Sequence, residues 1–157
     1  GKWTTYRKMA EDTIDQAAMV GELEERPSYT ESLHLEGWRR GDDLEDPWKV
    51  YGADAEALRA IEDEDHVPEG PMHPDLPYHA CQYVWAVREE LARTVEDALA
   101  RRTRALLLDA DAAVEIAPEV ARLMAKELGE DEAWIDDQVA EFEAVAEGYQ
   151  LHPHPAS

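Results

Sequence analysis

The sequence predicts an all-α fold, a compact helical domain of about five or six helices with room for one short strand. Three observations lead there. Apolar residues recur at three- and four-residue spacing in several separate stretches. Cap residues stand where those stretches begin and end: Thr94, Asp109 and Asp131 at starts, Gly129 at an end. Hydrophobic residues make up 44% of the chain, enough for a core despite a formal net charge of -22.

The elements follow in order. Trp3, Tyr6, Ala10, Ile14, Ala17 and Val20 share helical spacing, so a first helix is predicted from Thr4 to Leu23. Thr4 or Thr5 would cap it through the side-chain oxygen, Gly21 weakens its last turn, and Arg26-Pro27-Ser28 ends it. Leu33-His34-Leu35 alternates briefly and reads as a short strand. Residues 39–50 read as a surface loop, anchored by Trp38, Trp48 and Tyr51. A short helix bearing Leu58 and Ile61 is predicted from Asp54 to Glu62. Over residues 67–74 the prolines argue against regular structure.

From Pro77 the pattern is strongly helical. Ala80, Val84, Val87, Leu91, Val95, Leu99 and Leu106 fall near one face, with a break at Arg93-Thr94 where Thr94 caps a second helix. Glu89–Arg93, Arg93–Asp97 and Asp97–Arg101 are spaced for ion pairs one helical turn apart. Asp109 or Asp111 caps the next helix, whose stripe is Val120, Leu123, Met124 and Leu128. Pro118 there fits a kink or a fresh start, and Gly129 the closing position. Asp131 opens the last helix, with Ile135, Val139, Phe142, Val145 and Tyr149 inward. Residues 1–151 thus form one domain and 152–157 a disordered tail.

Composition narrows the function. With 37 acidic residues against 15 basic ones, nucleic acid and anionic membrane surfaces are poor partners. Only four residues are lysine while eleven are arginine, the surface expected of a protein adapted to a salt-rich cytoplasm, a halophilic reading whose plain alternative is an acidic mesophilic domain. Cys81 is the single cysteine, so no internal disulfide forms and a reduced compartment is expected. No apolar stretch is long enough to span a bilayer. His66, His73 and His79, with Asp65 and Asp75, fit no metal-ligand spacing and read as surface loop, so no metal is expected.

Two stretches carry the functional argument. In Gly1-Lys2-Trp3-Thr4-Thr5-Tyr6-Arg7-Lys8-Met9-Ala10, cations Lys2, Arg7 and Lys8 crowd a helix start, where the macrodipole disfavours them. Unpaired N–H groups, hydroxyls and a lysine at such a terminus make an anion-binding site. The plain alternative is a capped helix whose cations face water. The second stretch runs from Ala86-Val87-Arg88-Glu89-Glu90-Leu91-Ala92-Arg93-Thr94-Val95-Glu96-Asp97 to Arg101-Arg102-Thr103-Arg104.

These two blocks, in this order, resemble the C-terminal domain of FAD-dependent, quinone-linked glycerol-3-phosphate dehydrogenases. The resemblance covers nearly the whole chain and is weakest over residues 24–76. It implies a parent that oxidises sn-glycerol 3-phosphate to dihydroxyacetone phosphate, with FAD as cofactor and quinone as electron acceptor. It implies that Lys2 lies beside the flavin ring and substrate pocket. It also implies that Thr4 and Thr5 start a helix facing the flavin's pyrimidine end, through backbone N–H more than hydroxyl. Residues 1–8 would then belong to the flavin-site edge. Arg101, Arg102 and Arg104 read as structural or interdomain, bridging Asp97, Glu96 and the surface of the first domain. Arg7 reads as fixing the helix start against a carboxylate.

No Gly-x-Gly-x-x-Gly fingerprint occurs here, and the chain opens within the first motif. It reads as an excised C-terminal domain, inert alone, with no catalytic residue of its own. Its expected partners are the N-terminal FAD and substrate domain, glycerol 3-phosphate and quinone, with a homo-oligomer compatible. The parent is expected in the cytoplasm, peripheral on the inner face of the cell membrane. The rival reading is an independent acidic helical module that binds a basic partner. The Lys2-to-Thr5 edge discriminates, since such a module has no use for a cation at a helix start.

Overall fold

The computed structural model describes residues 2–41 and 47–150. It divides into two units, Gly1–Trp38 and Arg39–Ser157. The predicted tail and part of the loop over 39–50 lie outside the described residues.

In the first unit a single 3-10 turn, Trp3–Thr5, leads into helix α1, Tyr6–Val20. The helix is shorter than its apolar spacing suggested, and closes with Gly21 N–H donating to Ala17 O at 2.8 Å and Glu22 N–H to Met19 O at 3.4 Å. No side chain caps its start. The predicted threonine cap is corrected: the Thr5 hydroxyl faces backward and donates to Lys2 O at 3.4 Å. The predicted strand at Leu33-His34-Leu35 is also absent, and these residues are irregular. His34 instead stacks on Trp38, with ring centroids 3.6 Å apart. None of the residues of α1 is buried.

The second unit holds the core. A 3-10 segment, Trp48–Asp54, runs into α2, Ala55–Glu62, which buries Leu58 and Ile61 as their spacing predicts. Strands β1, Pro71–His73, and β2, Leu76–His79, then pair antiparallel. This corrects the expectation that the prolines exclude regular structure. Pro71 opens its strand and Pro74 lies in the turn, and a two-stranded sheet consists of edges, so no ladder donor is missed inside a sheet.

Helix α3, Ala80–Arg88, is buried along most of its length. The chain then turns through 89–93 and enters a π-helical segment, Asp97–Arg102, followed by α4, Ala105–Leu108. Helix α5, Ala110–Leu128, is the central rod, packed against α3, α4 and the final helix α6, Glu132–Ala146. Asp109 caps α5 through Ala112 N at 3.0 Å, and Asp131 caps α6 through Trp134 N at 3.1 Å, both as predicted. Gly129 ends α5 in the left-handed conformation (φ 77°) its position required. Pro118 is absorbed inside α5 without ending it.

The buried face of α5 is rich in alanine (Ala112, Ala113, Ala117, Ala121 and Ala125), which lets α3 and α6 approach closely. Ile116, Val120 and Met124 fill the space between. Two expectations about facing fail. Leu91 is 70% exposed because the chain has left the helix before it, and Tyr149 lies beyond the end of α6 and is half exposed. Buried Gln138 accepts from Val95 N at 3.1 Å, joining α6 to the entry of the π-helical segment.

Candidate functional site

At the start of the first unit, Lys2 is extended (φ -114°, ψ 136°) and its side chain is exposed. Thr5 N–H closes the turn on Lys2 O at 3.1 Å. The N–H groups of Trp3 and Thr4 precede any intrahelical acceptor, as first-turn donors do. Both the N–H and the hydroxyl of Thr5 are taken up within the turn, so of the two threonines only Thr4 leaves a backbone N–H to an anion here. Of the three cations, Arg7 is neutralised by Glu11 at 2.6 Å and also donates to the Thr30 hydroxyl at 3.2 Å. Lys8 pairs with Glu11 at 2.7 Å and Asp12 at 3.2 Å. Both cations hold Glu11 below the usual carboxylate range, the Lys8 bond contributing most. No ion pair to Lys2 occurs among the described residues. An exposed ammonium beside free N–H donors thus faces outward, a donor set suited to an electron-rich or anionic group.

The second motif builds structure. Asp97 accepts from the backbone N–H of Arg93 (3.1 Å) and Thr94 (3.2 Å), while Thr94 Oγ1 accepts from Asp97 N (3.1 Å). That is a reciprocal cap. Arg101 binds Asp97 at 3.0 Å and Glu96 at 2.6 Å, as the spacing suggested. Arg93 forms neither of its predicted side-chain pairs and donates to Val87 O and Ala92 O. Arg102 donates twice to Glu90 O, and the Thr103 hydroxyl donates to Ala98 O at 2.9 Å. Asp97→Ala should therefore cost this chain roughly 1–2 kcal/mol, the scale of a lost cap. Urea unfolding measures it; a change below a few tenths would show that the motif does not hold the fold.

Arg88 is a hub the sequence did not reveal, since its partners are distant in the chain. It donates to both oxygens of Glu64 (2.7 and 3.0 Å) and both of Glu127 (2.6 and 2.9 Å), tying the turn after α2 to α3 and α5. These bonds hold both carboxyls below their ordinary value of 4.5. Carboxyls depressed on folding contribute stability fully above the unfolded value and lose it as pH falls through the folded one. Arg88→Met should cost roughly 1–2 kcal/mol near neutrality, discounted because Arg88 and Glu64 are partly exposed. The gap to wild type should hold above about pH 4.5 and narrow below it. Urea unfolding across pH checks this, and a gap constant down to pH 2.5 would refute the linkage.

The three histidines go to separate carboxylates: His66 to Glu127 (3.2 Å), His73 to Glu115 (3.2 Å) and His79 to Glu62 (2.5 Å). No group of three or more metal-capable side chains occurs among the described residues. A polar contact that sequence reasoning missed links buried Gln82 to the Tyr51 hydroxyl at 3.0 Å, and burial pushes that phenol up to about 12. Burial likewise pushes the Cys81 thiol up to about 12, so it is a packing residue with little thiolate. The Tyr83 hydroxyl is buried beside Thr103 without a hydrogen-bond partner among the described residues.

Comparison with known proteins gives a consistent picture. The chain is 34% identical over 150 residues to a probable mitochondrial glycerol-3-phosphate dehydrogenase of Caenorhabditis elegans, covering 82% of this chain and 21% of that protein. It is 33% identical to the human mitochondrial glycerol-3-phosphate dehydrogenase, covering 84% and 21% respectively. For an Arabidopsis thaliana mitochondrial relative the identity is 27%, covering 81% and 25%. The chain thus spans about a fifth to a quarter of the length of these relatives. No solved structure gives a significant match. The model of the C-terminal domain of alpha-glycerophosphate oxidase matches residues 15–135, from within α1 into α6, leaving Lys2, Thr4 and Thr5 before its start. With most of its length inside that match, the chain belongs to the family of C-terminal domains of glycerol-3-phosphate oxidases and dehydrogenases.

Proposed function

We propose that this chain serves as the C-terminal domain of an FAD-dependent enzyme that oxidises sn-glycerol 3-phosphate to dihydroxyacetone phosphate and passes electrons to quinone. The observation that carries the reading is the match over residues 15–135 together with the lone Lys2 ammonium at a helix start. The residues present fit a flavin edge: a cation without an ion pair among the described residues and first-turn N–H donors suit the electron-rich pyrimidine end of an isoalloxazine. FAD, when bound, would supply the hydride acceptor. This chain's part is electrostatic. Lys2 and the N–H groups of Trp3 and Thr4 would stabilise negative charge that grows on that edge, and Lys2 would draw the substrate phosphate.

The first unit supports the same reading. Tyr6, Ala10, Ile14, Tyr29, Leu33 and Leu35 line an open groove, and α1 buries nothing within its own unit. In this proposal the N-terminal FAD and substrate domain of the parent covers that apolar face. No helix among the described residues is long and apolar enough to cross a membrane, and the parent is proposed to sit peripherally on the inner face of the cell membrane. The acidity of the chain is proposed as an adaptation to salt.

The test is the full-length parent. Purified, it should carry about one FAD per chain and oxidise glycerol 3-phosphate with a short-chain quinone. This chain alone should bind no flavin, because it has no dinucleotide-binding strand–turn–helix. A flavin-free parent inert toward glycerol 3-phosphate overturns the proposal.

A further inference from the structure

Among the described residues, one polar bond joins helix α1 to the irregular segment 24–38 that follows it. Arg7 Nη1 donates to the Thr30 hydroxyl at 3.2 Å, 23 residues along the chain, and to Glu11 Oε2 at 2.6 Å. Thr30 is itself held. Its hydroxyl lies 2.9 Å from that of Ser28, and its N–H donates to Ser28 Oγ at 3.3 Å. Ser32 closes the next turn, donating from both its N–H and its hydroxyl to Tyr29 O at 3.3 Å. Hydroxyls bonded to backbone two or three residues away give a turn a defined shape without a core beneath it.

The burial of α1 marks the same point. Arg7, Glu11 and Ala18 are half-buried, and every other residue of the helix is exposed. Helices of soluble domains dock by an apolar stripe. Near the start of this one, the docking residue is an arginine with its carboxylate. No side chain caps that start. The bonds of a charged donor are stronger than those of a neutral one. The Arg7 bridge therefore fixes the first turn of α1 against residues 28–32, and with it Lys2 and the N–H groups of Trp3 and Thr4.

We propose that Thr30, acting through Arg7, is a positioning residue for Lys2 in glycerol 3-phosphate oxidation. The inference rests on the proposed function, in which Lys2 meets negative charge growing on the flavin edge. A cation stabilises such charge only when it is held in place beforehand, and a misplacement of about 1 Å can cost about 100-fold. The Lys2 side chain is exposed, so its placement is set by the backbone from which it leaves. Arg7 and Thr30 act at a distance from the reacting atoms. The arginine's charge is taken by Glu11, and the Thr30 hydroxyl is taken by Arg7 and Ser28.

The experiment uses the full-length parent. Thr30→Val removes the hydroxyl, keeps the side chain's shape and leaves the Arg7–Glu11 pair in place. It should lower kcat/KM for glycerol 3-phosphate about 10-fold and lower the flavin midpoint potential, with flavin content unchanged. Thr30→Ser keeps the hydroxyl and should restore both. In a Lys2→Met background, Thr30→Val should cost at most about twofold more, because the ammonium it positions is gone. Arg7→Gln removes the bridge from its other end and should show the same non-additivity, a second route should Thr30→Val fail to fold by circular dichroism. Wild-type kinetics and potential in Thr30→Val, no rescue by Thr30→Ser, or a loss that adds in full to that of Lys2→Met overturns the positioning role. With an active, flavin-bearing parent, any of these results leaves the functional reading standing. A flavin-free, inert parent sinks that reading and the positioning role with it.

Discussion

Replacing Lys2 by methionine in the full-length parent should lower kcat/KM for glycerol 3-phosphate at least ~100-fold, the scale of losing one pre-organised electrostatic contact. Methionine keeps much of the side chain's length and apolar stem but removes the ammonium. Arg7 and Lys8 cannot substitute, because Glu11 and Asp12 already hold them. The midpoint potential of bound flavin should fall as well, since the more negative reduced form loses its cation. Stability should barely change, because Lys2 is exposed and a cation at a helix start gains nothing from the macrodipole. Steady-state kinetics and a redox titration read the two effects separately. Normal kinetics with an unchanged potential would leave Lys2 a surface lysine, without disturbing membership of the family, whose match begins after it.

Phe142→Ala should cost the domain roughly 3–5 kcal/mol, a large share of the stability of a domain this size. Phe142 is 1% exposed and carries the inner face of α6 into the core that α5 organises. The ring's removal loses both its transfer from water and the packing around it, and the alanine-lined face of α5 has little side chain with which to refill the space. Phe142→Leu keeps most of the volume and should lose markedly less. Urea unfolding of this chain measures both. A cost for Phe142→Ala below about 1 kcal/mol would mean that α6 is not docked through this residue.

The cap residues were legible because capping is local. Thr94 with Asp97, Asp109 with Ala112, and Asp131 with Trp134 are all bonds three residues apart, formed by the chain's own helical geometry. Gly129 follows from the same geometry at the other helix end. Periodicity identified the buried faces of α5 and α6, where uninterrupted helix carries the pattern over several turns. It misled at Leu91, where the spacing continues through a break in the backbone. It also misled at α1, whose regular apolar spacing is buried by nothing in its own unit.

Of the candidate site, the sequence offered Lys2, Thr4 and Thr5, but it could not tell which cations would be neutralised or which way a hydroxyl would turn. The 2.6 Å Arg7–Glu11 pair decides the first, and the Thr5 bond to Lys2 O the second. The sequence by itself therefore determined the helical class, both ends of α5, the start of α6, the family and an unusual cation at a helix start. Only the tertiary structure decided that Arg88 would grip Glu64 and Glu127, that Gln138 would meet Val95, and that Arg101 would pair with Glu96 as well as Asp97 while Arg102 takes Glu90 O. The physical reason is range. Caps and helical periodicity are set by neighbours within a turn or two, whereas the partners of a buried amide or an arginine are brought together by packing across 24 to 43 residues of chain.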